Sequence, residues 1–268
     1  MQKDRLQELL NTKEDLHPDL AECIEDAGFM VFVKHPLVVT TYFEMQNAFL
    51  NAQYENKKKA VAEAELTKNW ETYIWLHERP FRLDAFLSIR HHLGPKRYFR
   101  LLREVWTDSE NPSVNKDIWL MLFNNPDIVE FPKDFIKASR SRYLMTPAER
   151  KVKVKLRIQH MGVSAVRKPT RIYRGYHDDG TGDIDGTDGL SWTLSYEKAE
   201  WFSTRLMVRG DTAMVVHGEC DPDDMIGYFQ DRGEDEVVID PDKVTRTAYT
   251  TVVCEEALNK HWREKSWG

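Results

Sequence analysis

The chain has 268 residues, 41% hydrophobic and 31% charged, with a formal charge of −6. That length and apolar content suffice to bury a core in one large domain or two smaller ones. Cys23, Cys220 and Cys254 are scattered and form no CxxC pair, which points away from a disulfide framework or a zinc site and towards reduced thiols.

The first twenty residues are charged and lack an apolar signal core, and no apolar run is long enough to span a bilayer. The expectation is a cytoplasmic protein with no membrane partner. The first hundred or so residues read as helical. Residues 44–76 favour helix by propensity. "RLDAFLSIRHHLGPKRYFRLLREVW" reads as two helices joined at Gly94-Pro95, because Gly suits a helix end and Pro the first position of the next. In the second of them Tyr98, Leu101, Leu102, Val105 and Trp106 recur at helical spacing and predict one buried stripe. "TDSENPSVN", 107–115, reads as a linker, and "KDIWLMLFNNP" as a short buried helix. Thr146, Pro147 and Glu149 form a capping box that predicts a helix from about 147.

Near Pro169 the style changes. "TRIYRG" and "LSWT" read as strands on either side of a Gly/Asp loop. "SYEKAEWFSTRL" reads as a helix with Ser195 as N-cap, and "TAMVVHGEC" as a strand. "DPDDMIGYF" reads as a turn and a short helix. Strands at Val237-Val238-Ile239 and "VTRTAYTTVV" follow, and then a last helical stretch. The fold class is α+β. The expected division is a helical region, 1–116, that recognises a target or partner, followed by a second domain, 117–268.

Charge is unevenly placed. Residues 137–174 are rich in Lys and Arg with Glu149 as the single acid, and acids predominate after Gly175. Solvated faces that balance inside the fold explain this, as does a strip that attracts a polyanion. Glu234 and Glu236 enter an apolar strand two residues apart. Strict alternation would place them on one face with Val238 next along it. Carboxylates at the mouth of an apolar strand cost free energy unless something uses them.

Three pieces recur in order: Tyr173-Arg174-Gly175 on a strand, Ser191-Trp192-Thr193 on a strand that runs into a helix, and Glu234-Asp235-Glu236 at the start of a later strand. With these pieces the sequence resembles the ADP-ribosyltransferases of the Arg-Ser-Glu, cholera-toxin-like class, over roughly residues 169 to 250. Trp192 and Thr193 depart from that class's Ser-x-Ser form, with Thr keeping the hydroxyl. The resemblance implies a split β-sandwich, two small sheets around an NAD cleft with flanking helices. NAD would be a substrate and no metal would be needed.

The implied roles follow residue by residue. Glu236 would hydrogen-bond the ribose 2′-hydroxyl and stabilise an oxocarbenium-like transition state as nicotinamide leaves. Ser191 would hold Glu236 and the nicotinamide ribose, and Thr193 would support the same strand. Arg174 would grip the phosphate or adenylate end with its planar fork. Glu234 would orient or deprotonate the acceptor. Tyr173, Gly175 and Trp192 would border the NAD site, Trp192 either packing or lining the nicotinamide pocket. The resemblance leans towards a protein arginine acceptor, and the basic run with Tyr143 and His160 towards a nucleic-acid base. A bacterial toxin, with an antitoxin or other regulatory protein as partner, or a phage effector fits such an activity by analogy. An NAD glycohydrolase and a non-catalytic binding module are the other readings. "DDGTGDIDGTDG" fails the EF-hand order and the phosphate-loop spacing, and His91-His92 face apart on a helix.

Overall fold

The computed structural model describes residues 14–109, 112–123, 169–178, 188–205, 212–221, 224–229 and 235–252. The expected helices from 147 and after 252, the greater part of the Gly/Asp loop, and Glu234 lie outside the described residues. The chain mixes helix with antiparallel sheet and divides into two compact units, Met1–Glu110 and Asn111–Gly268. The division falls inside the polar stretch 107–115.

The first unit is not helical throughout. A short turn of helix, α1 (Pro18–Ala21), leads into an antiparallel meander of β1 (Ile24–Asp26), β2 (Val31–His35) and β3 (Val38–Thr41). β-branched runs on both sides of Pro36-Leu37 make the second hairpin. Its turn is held by the His35 Nδ1, which accepts from the Leu37 N–H at 3.0 Å. Helix α2 (Asn47–Leu66) lays Leu50 and Tyr54 on Val33, Leu37 and Val38. The helical propensity of 44–76 is interrupted after Leu66. Lys68 is left-handed (φ 55), and Asn69 then caps α3 (Trp70–Leu76) by accepting from the Thr72 N–H. Helices α4 (Arg82–Ile89) and α5 (Pro95–Asp108) follow, with Gly94 as N-cap and Pro95 at the first position of α5. Tyr98, Leu101, Leu102, Val105 and Trp106 are all buried, so the expected stripe forms the apolar face of α5.

In the second unit α6 (Lys116–Phe123) buries Trp119, Leu122 and Phe123. Six antiparallel strands follow: β4 (Thr170–Asp178), β5 (Ser191–Thr193), β6 (Thr212–Cys220), β7 (Met225–Phe229), β8 (Glu236–Ile239) and β9 (Thr245–Thr251). They order as β7-β8-β5-β4-β6-β9. The stretch expected as a short helix, "MIGYF", is β7. It pairs with β8 and brings Phe229 to within 6.4 Å of the Phe123 ring. Five residues rich in large apolar side chains are too few for a stable helix but suffice for a strand. Helix α7 (Tyr196–Thr204) starts at the expected cap, Ser195, and lies on β4 and β6 through Ala199, Ala213 and Val215.

Pairing along the sheet is uneven. β4 and β6 pair from Thr170↔Cys220 to Asp178↔Thr212, whereas β4 and β5 meet only at Tyr173↔Thr193. The sheet is thus two triplets of strands joined at one narrow seam.

Two described thiols, Cys23 and Cys220, are free. Burial pushes the Cys220 thiol up to about 12, with Asp224 and Asp221 adding to the shift. In the native protein at pH 8, Cys220 should therefore resist a thiol-specific alkylating reagent and label only with denaturant, read by peptide mass spectrometry.

Burial also holds the His35 and His77 imidazoles below the ordinary histidine range, against the pull of Asp19 on His35 and of the Tyr73 carbonyl on His77. For such groups the unfolded chain binds the proton first as pH falls, so folding stability is complete above the unfolded value of about 6.5 and declines below it. The urea midpoint for the first unit, followed by hydrogen exchange in β2 and β3, should fall between pH 7.5 and pH 5. Replacing His35 with Gln should reduce that dependence.

Candidate functional site

The residues singled out by sequence converge on the seam. Strand register places Thr193 directly opposite both Tyr173 and Glu236, and Ser191 opposite Val238. Ser191 and Thr193 share a face of β5, and Glu236 lies diagonally across from Ser191 on that face. The Ser191 Oγ donates to the Glu236 Oε1 at 2.6 Å. This is a charge-assisted hydrogen bond that fixes one carboxylate oxygen and leaves the group half-buried.

Arg174 reaches the same place from β4. Beyond Tyr173↔Thr193 the two backbones part, so the Ser191 carbonyl gains no partner from β4 in the ladder. The Arg174 Nη1 supplies one, donating to the Ser191 oxygen at 2.5 Å. Burial pushes the guanidinium pKa down, while the Glu236 and Asp188 carboxylates pull it back up. A guanidinium keeps its charge through such shifts. The positive charge therefore lies in the field of two carboxylates and against the backbone of Gly189. A Cβ on Gly189 would fall 2.1 Å from the Arg174 Cζ, so only glycine admits the guanidinium in this position. Asp188 also faces Lys116 Nζ at 3.5 Å.

The remaining sequence candidates have mainly structural surroundings. The Thr193 Oγ1 accepts from the Ser195 N–H at 3.1 Å and so shapes the turn into α7. Trp192 is 2% exposed, and its indole is turned into the core beside Gly218, with Nε1 donating to the Gly189 carbonyl at 2.9 Å. Gly175 lies under α7. Tyr173 packs edge-on against Tyr196 and His217, at 5.6 and 5.3 Å between ring centres. His217 itself contacts the Thr250 hydroxyl at 2.7 Å.

The alternation expected across Glu234 and Glu236 does not carry through. β8 begins at Glu236, and the residue before it, Asp235, is left-handed (φ 47). An extended strand cannot include that conformation, so the reason for placing the two carboxylates on one face is removed. Glu234 itself is outside the described residues. Sequence reading missed Gly189, Asp188 and Asp235. The first two belonged to a Gly/Asp loop with no specific pattern, and a left-handed Asp leaves no signal beyond its residue type.

Among the described residues no group of His, Cys, Asp and Glu side chains could hold a metal ion, and no helix is long and apolar enough to cross a membrane. No family model, curated protein or solved structure matches this chain.

A Cβ at residue 175 would lie 1.8 Å from the Ala199 carbonyl oxygen and 2.7 Å from the Ser203 nitrogen. Gly175→Ala should therefore displace α7 and lower unfolding free energy by about 3 kcal/mol, the upper end for an overpacked site, as measured by urea denaturation.

Proposed function

We propose that this protein is an NAD-dependent mono-ADP-ribosyltransferase, cleaving the nicotinamide–ribose bond and passing ADP-ribose to a macromolecular acceptor. The observation that carries the reading is the hydrogen bond from Ser191 Oγ to Glu236 Oε1, with Arg174 bound to the carbonyl of the same serine. The Arg, Ser and Glu of the three motifs stand more than fifty residues apart at their extremes, yet one seam of the sheet gathers them. The division of the sheet into two triplets is what a split β-sandwich around a cleft would require.

On this reading the reaction proceeds with little covalent help from the protein. As the glycosidic bond lengthens, positive charge gathers on the ribose ring, and the Glu236 carboxylate stabilises it. The Ser191 hydrogen bond holds that carboxylate before the substrate arrives, so the stabilising charge needs no reorganisation. Arg174 offers fixed positive charge for the diphosphate, although its Nη1 is already engaged by Ser191. The lean towards a protein arginine acceptor rests on the Glu-x-Glu resemblance, and the alternative of a nucleic-acid base on the basic run before Arg174. The cellular setting of a cytoplasmic toxin or effector is an analogy.

The test uses purified protein, labelled NAD and a cell lysate divided into protein and nucleic-acid fractions. Glu236→Gln should lower the rate of nicotinamide release by about 100-fold to 1,000-fold, the range for losing one electrostatic stabiliser. Ser191→Ala should lower it by about 10-fold, because the carboxylate persists but loses its anchor. Label in either fraction that vanishes in Glu236→Gln identifies the acceptor class. Mutant-sensitive nicotinamide release without label means that water is the acceptor. Absence of both, with no NAD binding by calorimetry, overturns the proposal.

A further inference from the structure

Neither Gly189 nor the Trp192 indole belongs to the three residue types that the proposed chemistry uses, yet both touch the group that organises them. The contacts form a chain. The Trp192 Nε1 donates to the Gly189 carbonyl at 2.9 Å. The Gly189 backbone lies against the Arg174 guanidinium, so closely that a Cβ would stand 2.1, 2.2 and 2.5 Å from its Cζ, Nη2 and Nη1. The Arg174 Nη1 donates to the Ser191 carbonyl at 2.5 Å. The Ser191 Oγ donates to the Glu236 Oε1 at 2.6 Å.

We propose that Gly189 and the Trp192 indole form a clamp that holds the Arg174 guanidinium on the Ser191 carbonyl and so sets where Ser191 presents the Glu236 carboxylate. Both are positioning residues, since they act through Arg174 and Ser191. The argument is one of restricted freedom. An arginine side chain has many rotamers, and holding it in one of them takes surfaces that exclude the others as well as acceptors for its donors. The flat face of the guanidinium rests on the one residue type with no side chain to push it away. The peptide that carries that face is itself pinned by an indole N–H from the core. Trp192 is 2% exposed, so its N–H has little access to water, and leaving either partner unpaired there costs free energy. Trp192 follows Gly189 by three positions, so the clamp closes within one short turn before and into β5. The consequence for Glu236 is geometric. A carboxylate displaced by a fraction of an ångström is a poorer match to a transition state.

The catalytic consequence rests on the transferase reading. The clamp itself does not, and the experiment separates them. The protein and its variants Trp192→Phe and Gly189→Ala are treated with phenylglyoxal, which modifies accessible guanidinium groups, and modification of each arginine is followed by peptide mass spectrometry. Arg171, on the same strand with its side chain 76% exposed, serves as the internal standard. Val215→Ala, a cavity in the core of the same unit, controls for general loosening. The clamp predicts that Arg174 is protected in the wild type and reacts at least 5-fold faster, relative to Arg171, in both clamp variants but not in Val215→Ala. Should one clamp variant fail to fold by circular dichroism, the other decides. Wild-type Arg174 protection in the clamp variants overturns the proposal, as does an equal rise in Val215→Ala.

In the same preparations Trp192→Phe should reduce kcat for nicotinamide release by about 10-fold, with the KM for NAD changed less than 3-fold, the pattern of an interaction lost in the transition state. Exposure of Arg174 with unchanged kcat overturns the positioning role. If the wild type releases no nicotinamide, the transferase reading falls, while Arg174 protection still decides the clamp.

Discussion

The second unit depends on how one carbonyl is satisfied. A three-residue strand, β5, must join two triplets of strands, and it meets β4 at a single residue pair. A backbone C=O left without a partner near the interior costs as much as a lost hydrogen bond. The Ser191 carbonyl escapes that cost because an arginine side chain replaces the missing strand. An arginine can do this where a lysine would do it poorly, since its planar fork fills the gap between two backbones while keeping donors at its rim. The narrowness of the seam and the identity of residue 174 are therefore one constraint, and the site inherits its shape from it.

Two glycines follow from the same constraint. The guanidinium needs a flat surface, which Gly189 provides, and the helix after β5 must lie close on β4, which Gly175 permits. Neither glycine is needed for a left-handed turn. Each is required by close approach: a side chain at 175 would meet the backbone of α7, and one at 189 would push the Arg174 guanidinium off its place. Ser191 consequently has a double task, with its carbonyl closing the sheet and its hydroxyl holding Glu236. Structure and proposed chemistry cannot be separated at this residue by a backbone change, though they can be at its hydroxyl.

Much of this was legible in the sequence, for identifiable reasons. Ser195 as a cap, Pro95 after Gly94, and the apolar stripe of α5 are local signals, and each produced the element it specifies. The convergence of Arg174, Ser191 and Glu236 came from motif order, which local propensity could not supply. The strands of the first unit are hidden by the strong helical propensity around them, although Val31, Val33 and the β-branched run at 38–41 carry a strand signal. A short apolar run such as "MIGYF" fits helix and strand alike, and pairing with β8 decides for the strand. Trp192 sat between two hydroxyl residues that face the site, and alternation alone implies that its indole points to the opposite face, into the core.

The acidic run Glu234-Asp235-Glu236 shows how a single backbone conformation changes the meaning of a sequence. Read as strand, it offers two carboxylates on one face. With Asp235 left-handed, the strand has a defined first residue, Glu236. That conformation costs an ordinary residue about 1 kcal/mol, and Asp is among the few non-glycine residues that visit it routinely. The turn is repaid locally, because the Asp235 carbonyl accepts from the Leu194 N–H at 3.2 Å. This bond ties the entrance of β8 to the exit of β5, one residue beyond Thr193↔Glu236. A slip of β8 by one residue would put Val237 opposite Thr193 and turn a charged group into the core, so the tie at Asp235 works with burial of Val237, Val238 and Ile239 to hold the register. The carboxylate that Ser191 holds is therefore selected by the register of β8, and Asp235 is the residue whose backbone secures it.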